Sequence, residues 1–180
     1  MKILIYVVCL VVVIIILVSY SDRQTMKLSF SKLNKRLGYR NDKTVLFVCI
    51  ENAGRSQMAE GFFRKYAPRG YITLRAGTKP SGDIIPLVIE VMKEIGIDIS
   101  NQKSKEITED MMRNSTKIVN MGCMDKSFCP TFFIPNVMDW GIEDPKGKPI
   151  EKVREIRDDI DRRVRQLAAE LAMDSLQANP

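Results

Sequence analysis

Hydrophobic positions between residues 44 and 171 alternate between strand-like runs and helical stripes. The run TVLFV is apolar on both faces, which is typical of a strand buried inside a parallel sheet, and YITLRAG and KIVNM follow with strand-like patterns. Apolar residues elsewhere recur at three- and four-residue steps, which predicts amphipathic helices, and a capping signal at Thr108 adds a short one. The predicted strands are residues 44–48, 71–77 and 117–121, and the predicted helices are residues 56–66, 85–96, 108–114 and 149–171, with residues 130–149 irregular. Strands that alternate with helices imply an α/β domain with a parallel sheet covered on both faces.

The N-terminal residues follow a different pattern. Sixteen consecutive apolar residues run from Ile3 to Val18, which at ~1.5 Å per residue nearly span a bilayer core, so residues 1–20 are a predicted transmembrane helix. Residues 21–43 are polar and basic and form a predicted linker, whose charge would keep the following domain, residues 44–175, in the cytoplasm. A cleaved signal peptide is an alternative. Translation from Met26 would instead give a soluble cytoplasmic protein.

Composition narrows the chemistry that the domain can perform. The 180 residues include 28 Lys and Arg against 22 Asp and Glu, and because the excess charge is scattered, we predict no nucleic-acid partner. Histidine is absent from the sequence, which excludes Ser-His-Asp triads and His-ligated zinc, and we predict no metal site and no cofactor. Of the four cysteines, Cys9 lies in the apolar run, and the other three form an odd set that suits a reducing compartment.

The sequence CIENAGRS joins the first predicted strand to the first predicted helix. Cys49 stands at the carboxyl end of the strand, residues 50–54 form the connection that we call the anion loop, and the helix begins near Arg55. Loop amides and the positive helix terminus would converge on one point and bind an oxyanion there. The same field, with Arg55, is expected to lower the pKa of the Cys49 thiol and yield a nucleophilic thiolate, whereas the alternative is a buried structural cysteine beside a surface arginine. The predicted oxyanion-binding residues are Ile50, Glu51, Asn52, Ala53, Gly54, Arg55 and Ser56.

Four stretches together resemble a known superfamily. They are C-x5-R-S followed by QMAE, then IDISNQKS, NMGCMDKSFCP and WGIEDPKGKP. From residue 44 to the end of the last helix, the chain resembles the low-molecular-weight phosphotyrosine phosphatase superfamily and specifically its thioredoxin-coupled arsenate reductase branch. The resemblance implies a flavodoxin-like three-layer sandwich, in which a four-stranded parallel sheet carries helices on both faces, here preceded by the N-terminal hydrophobic helix. We expect a monomer.

The resemblance also implies roles for four side chains. Cys49 would attack the arsenic of arsenate while Asp144, which precedes Pro145 on a Gly-flanked loop, protonates a departing oxygen. Cys123 would then attack Cys49 as arsenite leaves, and Cys129 would take over Cys123 in a disulfide that thioredoxin or a low-molecular-weight thiol reduces. Alternatively, Asp144 only caps its turn, and Cys123 and Cys129 are inert buried cysteines.

Three departures from the superfamily pattern affect this prediction. Glu51 places a carboxylate inside the anion loop, where it would weaken oxyanion affinity or point outward. Lys146 follows the Asp-Pro pair where phosphatases of the superfamily usually carry aromatic residues, which counts against a phosphotyrosine substrate. The third departure concerns a monovalent-cation site beside the loop in some members. Asn52 and Glu60 match that site, but Arg75 and Lys105 stand at two of its ligand positions, and we hypothesise that these basic side chains replace the cation.

The leading prediction is therefore an arsenate reductase that uses three cysteines. An alternative is a low-molecular-weight phosphatase that hydrolyses phosphate monoesters through a phosphocysteine, which requires only Cys49, Arg55 and Asp144. A third hypothesis is a membrane-tethered oxyanion or redox sensor without turnover.

Overall fold

The computed structural model describes residues 42–122 and 137–177. The predicted transmembrane helix, nearly all of the predicted linker, and Cys9, Cys123 and Cys129 lie outside these residues. None of the helices within the described part is long and apolar enough to cross a membrane.

The described chain contains four strands and four helices. The strands are β1 (Lys43–Cys49), β2 (Tyr71–Gly77), β3 (Lys117–Asn120) and β4 (Val137–Asp139). The helices are α1 (Arg55–Tyr66), α2 (Pro86–Lys93), α3 (Glu109–Arg113) and α4 (Ile150–Gln177). The three predicted strands and four predicted helices are confirmed, with small differences at their ends.

The strands form one parallel sheet in the order β2-β1-β3-β4. Alternate residues of β1 divide between two apolar clusters, as the two-residue period of a strand requires. Val45 and Phe47 pack with residues of α1, α2 and α4 on one face, whereas Leu46 and Val48 pack toward Met111 of α3 on the other. The four-stranded parallel sheet with helices on both faces agrees with the predicted three-layer fold.

Two elements differ from the sequence prediction. Strand β4 lies inside a segment predicted to be irregular, because its three residues pair with Ile118, Val119 and Asn120 of β3 and have little strand character of their own. Helix α4 continues to Gln177 although its apolar stripe ends at Leu171, and the last turns are polar or exposed. The stop predicted at Gly96 is confirmed by its positive φ of 76°, three residues beyond the end of α2.

An aromatic group ties the chain after β4 to the core. The ring centroid of Phe47 lies 5.8 Å from that of Phe63 and 5.9 Å from that of Trp140, and such pairs contribute about 0.5–1.5 kcal/mol beyond burial. The Trp140 amide donates to Asn120 O at 2.8 Å, and Arg163 Nη1 donates to Trp140 O at the same distance. The loop that carries Asp144 is therefore anchored at its first residues.

Candidate active site

The Cys49 thiol lies at the carboxyl end of the central strand and is only 2% exposed. The backbone N–H of Asn52 donates to its sulfur at 3.2 Å, and the hydroxyl oxygen of Ser56 lies 3.1 Å from the same sulfur. Hydrogen bonds to a charged form stabilise that form, so both contacts favour the thiolate. The thiolate is the nucleophilic state of cysteine.

Asn52 shapes the anion loop from within. It has a positive φ of 48° and is fully buried, a conformation that asparagine tolerates better than most residues. Its side-chain amide donates to Ser56 Oγ at 2.8 Å, and its side-chain oxygen accepts from the Lys105 amide at 2.9 Å. Gln57 Nε2 donates to the main-chain carbonyl of Asn52 at 2.5 Å. The loop is therefore held by hydrogen bonds from its own residues, from the first turn of α1 and from the Lys105 amide.

The carbonyls of Cys49 and of the first two loop residues accept hydrogen bonds from donors outside the loop. Backbone amides of Thr78, Lys79 and Ser81 donate to the carbonyls of residues 49, 50 and 51 at 3.2, 2.8 and 3.1 Å, and Ser104 Oγ adds a 2.6 Å bond to the last of these. In a trans peptide the C=O and the following N–H point in opposite directions. The amides of residues 50–52 therefore point away from residues 78–81, and that of Asn52 reaches the sulfur. This orientation suits the binding of an oxyanion above Cys49.

Arg55 and Asp144 lie 89 positions apart in sequence and meet in space. Arg55 Nη1 donates to the carbonyls of Met121 and Ile142 at 3.1 and 3.0 Å, and its Nη2 donates to Asp144 Oδ2 at 2.6 Å. Arg55 is 5% exposed, whereas the Asp144 side chain is 48% exposed. Two main-chain carbonyls thus fix the guanidinium, and the carboxylate beside it remains open to water. The predicted residues Cys49, Arg55 and Asp144 are brought to one site.

Residues 144–146, which we call the Asp144 turn, contact the anion loop. The Lys146 backbone amide donates to Asp144 Oδ1 at 3.0 Å, and Lys146 Nζ donates to Glu51 Oε1 at 2.5 Å. A methyl group on Gly54 would lie 2.7 Å from Pro145 Cγ, so the proline ring packs directly on that glycine. Glu51 is 32% exposed, and its carboxylate forms an ion pair at the rim of the loop. This pair was not apparent from the sequence.

Gly77, at the end of β2, is a further site residue that sequence reasoning missed. A Cβ at this position would lie 2.5 Å from the Ile50 carbonyl oxygen and 2.8 Å from the Asn52 nitrogen. The anion loop therefore passes over a strand end that only glycine allows. The signal available in the sequence is a glycine at the end of a predicted strand, which by itself indicates only where the strand ends.

Arg75 forms a buried ion pair with Glu60, and Arg75 Nη2 also donates to Lys103 O at 3.4 Å. Burial lowers the pKa of Arg75, and the negative charge of Glu60 offsets only part of this decrease. Burial and then the charge of Arg75 lower the pKa of Lys105. Within residues 42–122 and 137–177, no group of three or more acidic or cysteine side chains could hold a metal ion. The replacement of a cation by basic side chains stays a hypothesis, which a strong effect of potassium on arsenate affinity would contradict.

The fold and the site define the class of protein to which the chain belongs. It is a member of the low molecular weight phosphotyrosine protein phosphatase family, whose sequence pattern matches residues 44–177. An arsenate reductase of Brevibacillus brevis is 37% identical over 129 residues, which cover 71% of this chain and 96% of that relative. An arsenate reductase of Staphylococcus aureus is 40% identical over 122 residues, which cover 66% of this chain and 90% of the relative.

Solved structures point to the same branch. The thioredoxin-dependent arsenate reductase of Corynebacterium glutamicum is 35% identical with a TM-score of 0.63, over 74% of this chain and 63% of that protein. A structure of an arsenate reductase in the phosphate binding state is 34% identical with a TM-score of 0.64, over 71% of this chain and 98% of that one. The predicted superfamily is confirmed, and these relatives agree with the predicted branch.

Proposed function

We propose that the protein is an arsenate reductase, which converts arsenate to arsenite through three cysteines. The observation that carries the proposal is the convergence of the Asn52 amide and the Ser56 hydroxyl on the Cys49 sulfur, beside an arginine paired with Asp144. These groups provide a nucleophile, anion-binding donors and an acid at one point. The similarity to proteins named arsenate reductase supports this choice of oxyanion.

The first step joins sulfur to arsenic. Arsenate would bind to the loop amides and to Arg55, whose Nη2 would exchange its bond to Asp144 for one to the anion while Nη1 stays on the two main-chain carbonyls. The Asp144 side chain is 48% exposed beside Arg55, so its carboxyl can relay a proton from the bound hydrogen arsenate to the departing oxygen. The Cys49 thiolate then attacks arsenic, and a departing oxygen receives the proton of Asp144 and leaves as water.

The next two steps move two electrons. The Cys123 thiolate attacks the Cys49 sulfur; the S–As bond breaks, its electron pair remains on arsenic, and arsenite leaves. Cys129 then attacks Cys123, which frees Cys49 as a thiolate and forms a Cys123–Cys129 disulfide. Thioredoxin, the reductant named for the Corynebacterium glutamicum relative, or a low-molecular-weight thiol would supply the two electrons that restore both thiols.

Phosphate-ester hydrolysis is the second candidate, because Cys49, Arg55 and Asp144 would suffice for it and the family includes phosphatases. Replacement of one cysteine separates the two functions. In Cys123→Ser, arsenate reduction should vanish while slow hydrolysis of p-nitrophenyl phosphate persists. Cys9→Ser is the matched control and should retain both. Full arsenate reduction by Cys123→Ser would refute the proposal, and absence of both activities in the wild type would favour a sensor.

We also propose that the apolar run from Ile3 to Val18 anchors the chain in a membrane, with the basic residues after it and the catalytic domain in the cytoplasm. The full chain should then sediment with membranes, resist extraction by alkaline carbonate and dissolve in detergent. Recovery in the soluble fraction would instead support a soluble cytoplasmic protein, as expected if translation begins at Met26.

A further inference from the structure

Three consecutive residues of the Asp144 turn each contact a different residue of the segment that holds the oxyanion site. Asp144 pairs with Arg55, Pro145 packs on Gly54, and Lys146 forms the ion pair with Glu51. The first two contacts join the acid and its proline to the site. The third is an additional contact of opposite charges, and neither the acid nor the nucleophile takes part in it.

Glu51 presents an electrostatic problem for a loop that binds anions. Its backbone is fixed, because its carbonyl accepts from the Ser81 amide at 3.1 Å and from Ser104 Oγ at 2.6 Å. The carboxylate is consequently held at the rim of the loop, where an unpaired negative charge would repel an approaching dianion. Lys146 Nζ lies 2.5 Å from that carboxylate, and hydrogen bonding to Glu51 raises the pKa of Lys146, which keeps the amine charged.

We propose that Lys146 is a positioning residue, which neutralises Glu51 and thereby sets the affinity of the loop for its oxyanion. The inference rests on the proposed function in one respect, namely that the loop binds a tetrahedral oxyanion. The lysine acts through Glu51 and does not contact the anion. Oxyanion affinity then depends on the sum of the two charges. Removal of the lysine alone therefore weakens oxyanion binding, and removal of both charges weakens it much less.

Because the pair between Lys146 and Glu51 is exposed to solvent, its loss should affect oxyanion binding and not folding stability. The Lys146 side chain is 62% exposed, and exposed ion pairs contribute little to folding stability. We therefore expect the variants to fold normally. The repulsion acts on the bound and the reacting anion alike, which weakens binding and raises KM with a smaller change in kcat. Because the charges are near solvent, the effect should also shrink as ionic strength increases.

The test measures binding of inorganic phosphate to the full chain by calorimetry. Lys146→Met should raise the Kd about threefold to tenfold, the scale of an exposed charge acting on a dianion. Glu51→Gln should lower the Kd below that of the wild type. The double variant should bind phosphate at least threefold more tightly than Lys146→Met. Lys148→Met is the matched control, because this nearby exposed lysine pairs with Glu143 and not with the loop.

Two outcomes would overturn the proposal. If the double variant bound phosphate as weakly as Lys146→Met, the lysine would contact the anion itself. If Lys146→Met matched Lys148→Met, the pair would have no role in binding. Failure of the wild type to bind phosphate or arsenate would overturn the proposed function as well, which distinguishes the two failures. Arsenate reduction by the same variants should show the KM effect at low salt and little of it at high salt.

Discussion

Replacement of Gly77 by alanine tests whether the anion loop needs its close approach to the end of β2. The added Cβ would lie 2.5 Å from the Ile50 carbonyl oxygen and 2.8 Å from the Asn52 nitrogen, and both are backbone atoms that no rotamer change can move. Ordinary contacts of this kind begin near 3.4 Å. The loop would therefore have to retreat by about 1 Å, since van der Waals repulsion rises steeply at shorter distances.

Two magnitudes follow from that displacement. Crowding of a packed site costs about 1–3 kcal/mol of unfolding free energy, so the variant should still fold. A displacement of about 1 Å at a reacting centre can reduce the rate by ~10²-fold, because the nucleophile and the anion donors no longer align. We expect kcat/KM for arsenate to fall by roughly 30- to 100-fold in Gly77→Ala.

Gly96→Ala is the control for this experiment. Gly96 has a positive φ of 76° and open space around its Cβ position, so alanine there costs about 1–2 kcal/mol through backbone strain alone. Both variants should lose similar stability in urea denaturation, but only Gly77→Ala should lose activity and phosphate binding. Wild-type kcat/KM and phosphate affinity in folded Gly77→Ala would refute the argument about the loop.

Three further predictions concern hydrogen bonds in the described structure. Ser56→Ala removes the hydroxyl that lies 3.1 Å from the Cys49 sulfur. Alkylation of Cys49 by iodoacetamide at neutral pH should therefore slow by about tenfold. An unchanged rate would contradict a role of Ser56 in stabilising the thiolate. Arg157→Met removes a buried donor to a main-chain carbonyl of α2, which should lower the unfolding free energy by about 1–3 kcal/mol in urea. Arg154→Met, which removes a partly exposed arginine, is the control, and an equal loss in both variants would contradict this prediction. Hydrogen bonding to Arg154 lowers the pKa of Glu94 in the folded chain. The stabilisation by Glu94 is therefore present above the ordinary glutamate pKa and is lost as the pH falls through the lowered pKa of the folded state. Between about pH 6 and 3, the melting temperature should fall less steeply for Glu94→Gln than for the wild type.

The sequence predicted the elements whose signal is local. The apolar run of β1, the small residues after Cys49 and the stripe of α1 are contiguous, so the strand, loop and helix could be placed from the pattern alone. Strand β4 could not, because Val137–Asp139 becomes a strand only through pairing with β3. Its three residues contain no alternation from which a strand could be predicted.

In the active site, too, only the features with a local sequence signal could be predicted. Arg55 was predicted from its distance to Cys49 in sequence, and Asp144 from the resemblance of its loop. The pair between Glu51 and Lys146 joins residues 95 positions apart, and only the fold brings these two charges together. In the sequence the two charges are separate departures from the superfamily pattern, and nothing local indicates that they neutralise each other.

The central claim is that Cys49 begins a two-electron relay among three cysteines. Its most direct test is a single turnover of the reduced full chain with arsenate under anaerobic conditions, without added reductant, followed by thiol counting and disulfide mapping. We expect two thiols to be lost per arsenite formed and a disulfide to join Cys123 and Cys129. Intact thiols after arsenate treatment, or arsenite formed without loss of thiols, would contradict it.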